Sequence, residues 1–165
     1  MIIENLPVPF DRRVWQEANT LRSAGYQVSI VCPAMEGYRR RFEIINNIHI
    51  YRFPLPVEAD TPLGYISEYS WALLAQFYLT CKVAVNRGFD VIHACNPPDN
   101  IFLVALPFKL FGKRFIFDHH DLMPELFEAK FQRRGRIYQL LLIFERWTYR
   151  FADVVIATNE SYKAI

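Results

Sequence analysis

Short β-branched runs alternate with longer amphipathic ones along the chain, a pattern that implies an α/β fold. Strands separated by helix-length segments pair in parallel, which gives a doubly wound parallel sheet with helices on both faces, three layers α/β/α. A length of 165 residues fits one domain, residues 1–165, with room for a real core. Apolar residues at 52% against charged residues at 22% exclude a disordered chain. The net charge of +2 argues against a general nucleic-acid binder, so no nucleic-acid partner is expected.

Residues 1–4 read as a short first strand. Asp11 caps a helix to about Ala24, with Val14, Ala18 and Leu21 on its buried face and Gly25 as its terminator. Residues 28–32 form a second strand, halted by Pro33. A polar connection holding Arg39, Arg40 and Arg41 leads to a third strand over 48–53, ended by Pro54 and Pro56. Over 65–87 the spacing of Tyr69, Leu73, Phe77, Cys81 and Val85 predicts a long helix buried on that stripe. A strand over 90–94 precedes a helix over 99–111, capped by Asp99 and bent near Pro107. The strand over 114–117 runs into a titratable cluster that stops at Pro124. A helix over about 137–151 and a strand over 153–157 close the series, and residues 158–165 begin another helix. The short first strand and the abrupt last helix suggest part of something longer.

In parallel sheets, chemistry is placed at the carboxyl ends of the strands. There the chain carries Asp118, His119, His120 and Asp121 in succession. On a strand, Asp118 and His120 share one side and His119 takes the other. Imidazole donates or accepts near neutral pH and a carboxylate fixes its tautomer, so one histidine can contact a substrate hydroxyl. Alternatively the aspartates cap backbone amides and the histidines line the surface. Successive strand residues do not converge as metal ligands must, so no metal is expected.

Asn96, after the strand over 90–94, is a second candidate for the same edge, whereas His93 reads as a satisfied core histidine. Arg12 and Arg13 occupy a first helical turn, where the macrodipole disfavours cations. They pair with Asp11 and Glu17, or one of them meets an anionic group. The first βα turn has no glycine and carries Pro7 and Pro9, so the dinucleotide fingerprint G-x-G-x-x-G is absent.

Cys32, Cys81 and Cys95 are odd in number, far apart and in apolar settings, which predicts reduced, buried thiols of a cytoplasmic protein. No apolar run approaches bilayer-spanning length, and residues 1–3 are too short for a signal peptide. Residues 133–144 join Arg133, Arg134 and Arg136 to a bulky apolar run. Such a run fits peripheral contact with the inner face of a membrane, but the helical spacing of Ile137, Leu141, Phe144 and Phe151 favours a buried helix with a solvated basic lead-in.

Residues 9–18, 21–28, 89–98, 117–125 and 151–157, in that order and spacing, resemble the amino-terminal half of family 4 retaining glycosyltransferases. The D-x-H pattern of Asp118 and His120 and the Ala152-Asp153 strand entry belong to that resemblance. It implies one half of a GT-B architecture, in which two Rossmann-like domains face each other across a cleft. The amino-terminal domain binds a saccharide or lipid-linked acceptor. The carboxyl-terminal domain, absent here, binds the nucleotide-sugar donor through a basic pair and an E-x7-E element.

By the same resemblance His120 is the catalytic residue, approaching the acceptor and the transferred sugar. Asp118 and Asp121 orient it or contact hydroxyls, His119 is secondary, and Asn96 lines the same cleft. No cofactor is implied, since the nucleotide-sugar is a substrate. Transfer with retention is expected by front-face displacement, the leaving phosphate helping to deprotonate the acceptor, in cell-surface polysaccharide or glycolipid synthesis. Two positions depart from the pattern: Pro7, Val8 and Pro9 replace a glycine pair, and Cys95 stands where the family often has histidine. Without its donor half the chain is expected to be inactive.

Overall fold

The structure, a computed structural model, describes residues 1–55, 62–132 and 134–160. Pro56, Arg133 and most of the helix expected from residue 158 lie outside these residues. In chain order come α1 (Arg12–Ser23), β1 (Ser29–Ala34), β2 (Phe42–Ile45), β3 (Ile48–Pro54) and α2 (Pro62–Asn86). β4 (Val91–Cys95), a 3-10 turn (Asp99–Ile101), α3 (Phe102–Lys109) and β5 (Arg114–His119) follow. The last are α4 (Met123–Phe131), α5 (Arg136–Phe151) and β6 (Val154–Ala157). Local chemistry sets several boundaries. Asp11 accepts a hydrogen bond from the Val14 amide at 3.1 Å, and Gly25 leaves α1 at φ 93°.

The sheet has two three-stranded groups, β2-β3-β1 and β4-β5-β6, joined by the first residues of the chain. Ile2 bridges Val31 on one side and Ala94 on the other. Its amide donates to the His93 carbonyl at 2.8 Å and its carbonyl accepts from the Cys95 amide at 3.0 Å. Toward β1, the Ile3 amide donates to the Val31 carbonyl and the Val31 amide to the Met1 carbonyl, both at 2.9 Å. The expected first strand is thus a two-sided rung, parallel to β1 on one side and to β4 on the other.

Helices cover both faces. Val14 and Ala18 of α1 pack on Ile30, Ile48 and Ile50, while α2, α3 and α5 cover the other face against Val31, Ile92, Phe115 and Phe117. The three-layer Rossmann-like α/β class stands, with one antiparallel exception. Residues 42–45, which the sequence places in a polar connection, form β2 and pair antiparallel with β3. The turn between them is Asn46-Asn47, both at positive φ (51° and 60°), as a tight hairpin of the I′ kind requires.

Other expectations are corrected by position. Pro33 does not halt β1, which stays paired through Ala34. The Val31 amide points to the Ile2 side, so Pro33, two residues on, lacks its N–H on that side and costs β3 nothing. Pro124 opens α4 instead of ending structure, because a first-turn N–H has no intrahelical partner to lose. The inward stripe of α2 is Ala72, Gln76, Leu79, Thr80 and Val83, whereas Val85 is 86% exposed and Phe77 38% exposed. Cys32 and Cys95 are buried free thiols, but Cys81 is only half-buried.

Burial along this core sets a pH dependence. Glu4 is buried with Oε2 unpartnered among the described residues, and burial, with Glu68 adding, lifts its carboxyl from 4.5 to about 8. The folded chain keeps a proton that the unfolded chain releases, so this share of stability is lost as pH climbs from 4.5 to about 8. The Met1 ammonium opposes it: burial draws it from 8.0 to about 6, a cost that disappears as pH rises through that window. Glu4→Gln is expected to flatten the loss above pH 4.5 and to gain on the order of 3 kcal/mol at pH 8. Urea unfolding across pH measures this, and a slope unchanged by the substitution would refute it.

Candidate functional site

The carboxyl ends of β4 and β5 lie side by side, Cys95 opposite Asp118 in register. Asn96 ties the loops that follow them. Its Oδ1 accepts from the backbone amides of His120 at 2.5 Å and Asp121 at 3.0 Å. Its Nδ2 donates to Asp99 Oδ1 at 2.9 Å and to the Asp121 carbonyl. A buried amide that uses both acceptor and donor positions in this way fixes the backbone on which His120 stands.

Strand alternation puts Asp118 and His120 on the side of α1, together with His93 and Cys95 of β4. His120 Nε2 donates to Asp118 Oδ2 at 2.7 Å, and His93 Nε2 lies 3.4 Å from the same oxygen. A neutral ring that donates through Nε2 keeps Nδ1 as an acceptor. Burial alone would raise the Asp118 carboxyl, but the hydrogen bonds from His120 and His93 outweigh it and hold it well below the usual carboxylate range. Asp118 is therefore a fixed anion throughout the neutral range.

Two further groups close around it. Cys95 Sγ lies 3.9 Å from Asp118 Oδ2, and burial, then the charge of Asp118, pushes the thiol well above its ordinary value. Glu17 of α1 keeps Oε2 buried with no partner among the described residues, and burial followed by Asp118 raises its carboxyl. One ligand atom from each of Glu17, His93, Cys95 and Asp118 lies within 4.8 Å of the others. Successive residues of one strand cannot converge so; a helix and two strands can. Sulfur, nitrogen and oxygen donors of this kind suit a borderline cation such as zinc once the thiol has lost its proton. With the thiol protonated, the group is an acid–base cluster hydrogen-bonded around one carboxylate.

The remaining candidates fall elsewhere. His119 does not join His120: its ring is 1% exposed on the opposite face, stacked on Phe117 at 5.7 Å with the Tyr149 hydroxyl 3.1 Å from Nδ1. The pleat turns His119 into the layer under α5, apart from the other residues the sequence groups as substrate-binding. Asp99 is not an N-cap either. Pro98 holds the cap position, and the buried Asp99 carboxyl meets Asn96, with burial lifting it to about 8. Asp121 is half-buried, 3.5 Å from Asn5 Nδ2. Arg12 and Arg13 are exposed on α1, where Arg13 offsets part of the rise at Glu17. The structure thus gathers Asn96, Asp118, His120 and Asp121. It adds Glu17, His93 and Cys95, of which only the i, i+2 spacing of His93 and Cys95 was a visible signal.

The chain matches the glycosyl transferase 4-like domain family over residues 11–164. No curated protein matches it by sequence. Among solved structures it superposes on sucrose-phosphate synthase from Thermosynechococcus elongatus with a TM-score of 0.68 at 17% identity, covering 99% of this chain and 43% of that one. At that identity the likeness shows the fold alone, a Rossmann-like half of a GT-B enzyme, and the chain spans less than half of that enzyme's length.

If His120 is the main donor to Asp118, His120→Ala should move the Asp118 titration upward, toward or above the ordinary carboxylate value of about 4. Carboxyl-carbon NMR across acid pH measures it. An Asp118 titration that stays where it was would show that the ring is not what holds the charge.

Proposed function

The chain belongs to the glycosyl transferase 4-like domain family, and from that premise we propose that it is the acceptor-binding half of a retaining glycosyltransferase. The observation that carries this reading is the 2.7 Å contact between His120 and an Asp118 carboxylate at the carboxyl edge of a parallel sheet. A polarised imidazole on a fixed backbone suits one task well: meeting a sugar hydroxyl near the bond that forms. In this reading the donor is a nucleotide-sugar held by a carboxyl-terminal domain, and the acceptor is a saccharide or lipid-linked saccharide.

His120 directs Nδ1 as a hydrogen-bond acceptor while Asp118 holds its tautomer and balances any positive charge on the ring. Asn96 sets the position of both by fixing the loop, and Asp121 is available to acceptor hydroxyls. Arg12 or Arg13 meets an anionic group of the donor or acceptor. The leaving diphosphate takes part in deprotonating the acceptor, so the protein's share is positioning and charge stabilisation. Synthesis of surface polysaccharide or glycolipid in the cytoplasm, at the inner face of the membrane, is the setting that accords with such an acceptor.

Two outcomes test the reading. The 165-residue chain alone should transfer no sugar above background, and nucleotide-sugar-dependent turnover by it would overturn the division between halves. In a polypeptide carrying both halves, His120→Ala should lower kcat by about 10²–10³-fold and leave the donor KM nearly unchanged. Full activity without the imidazole would instead favour a nucleotide- or partner-binding role for this edge.

A further inference from the structure

The helical layer of α2, α3 and α5 turns an apolar and basic surface outward. On α5 the exposed positions include Leu140, Ile143 and Trp147, at 39%, 43% and 50%, and Arg136, Arg146 and Arg150 share that outer side. Just beyond α3, Leu110 and Phe111 are 81% and 82% exposed. On α2, Leu74, Tyr78 and Val85 are exposed by 65%, 65% and 86%. The three helices adjoin: the rings of Phe77 and Phe108 lie 6.2 Å apart, and those of Phe102 and Trp147 5.7 Å apart. Their outer sides therefore form one face, wider than the scattered apolar residues of an ordinary surface.

Charge decides what fits that face. Among the described residues α3 and α5 carry one carboxylate, the buried Glu145, and α2 carries one, the half-buried Glu68 near its start. Arg136, Arg146 and Arg150 have no ion pair among the described residues. A second copy docked by two-fold symmetry would bring the same arginine-flanked patch against itself and set like charges together. An anionic lipid surface takes both components at once. Bulky side chains enter the boundary between headgroups and acyl chains, and guanidinium groups meet phosphates. No described helix is long and apolar enough to cross a membrane, so contact on the surface is the mode these helices allow.

We propose that the outer face of α2, α3 and α5 is a docking surface for anionic lipid bilayers. Leu110, Phe111 and Trp147 anchor in the interface while Arg146 and Arg150 bind phosphate. The surface is independent of the acid–base cluster, so it stands or falls apart from any sugar transfer.

Co-sedimentation of the 165-residue chain with vesicles of phosphatidylcholine, alone or with about one third phosphatidylglycerol, tests it. Binding at least about 10-fold stronger to the anionic vesicles, and weakened by salt, is expected. Leu110→Glu with Phe111→Glu, and separately Arg146→Glu with Arg150→Glu, should each cost about 10-fold or more. All four side chains are exposed, and an unchanged thermal midpoint confirms folding of each variant. Equal affinity for both vesicle types, no binding at all, or variants that bind like the parent would each overturn the proposal. So would a dimer lost in the Leu110→Glu, Phe111→Glu variant when vesicles are not bound, which would assign the face to a second copy.

Discussion

Everything in this fold hangs on a single backbone rung. Ile2 hydrogen-bonds through its amide and carbonyl to β4, while its neighbours Met1 and Ile3 bond to β1. No other strand contact joins the two halves of the sheet among the described residues. That rung falls opposite Ala94, between His93 and Cys95, so the segment holding the sheet together also sets where β4 presents these two side chains to Asp118. A slip of one residue there would turn both to the opposite face.

Two aspartates at the carboxyl edge of the sheet show how environment sorts similar carboxyls. Asp118 and Asp99 are both buried aspartates linked through Asn96 and the backbone around it. Asp118 receives two imidazole N–H groups and stays ionised, whereas Asp99 has one amide donor and several acidic neighbours and holds its proton to about pH 8. Glu4 and Glu17 follow Asp99: each keeps a buried oxygen without a partner among the described residues, and each carboxyl is raised. The carboxyl edge therefore concentrates negative charge on one residue and keeps the groups around it more readily neutral. A site that reads hydroxyl groups gains from this arrangement, because one polarised ring stands in otherwise poorly hydrated surroundings.

The two sides of the helical layer differ in chemistry. Inward, α2, α3 and α5 supply the apolar contacts of the larger core, and outward they carry arginines and bulky apolar side chains. Ala72, Gln76, Leu79, Thr80 and Val83 show that the buried stripe of α2 is not its most hydrophobic one. Larger side chains such as Trp71 and Tyr78 were available for burial and stand outside.

Local chemistry alone determined much of this protein. The cap at Asp11, the stop at Gly25, the strands around 48–53 and 114–117 and the sides taken by His119 and His120 follow from period and turn residues within a few positions of each other. Where two faces of a helix were both apolar, as on α2, periodicity could not choose between them. Where proline stood at a helix start, as at Pro124, the same residue reads as a stop. β2 was hidden because an arginine run precedes it, although Asn46-Asn47 marks its turn. Only the tertiary structure brought Glu17, His93 and Cys95 to Asp118, since these residues span α1, β4 and β5. Their meeting depends on strand register and on how α1 crosses the sheet, long-range quantities that no window of sequence contains. The sequence named His120 and Asp118 together; the fold set the 2.7 Å contact between them and drew Glu17, His93 and Cys95 around it.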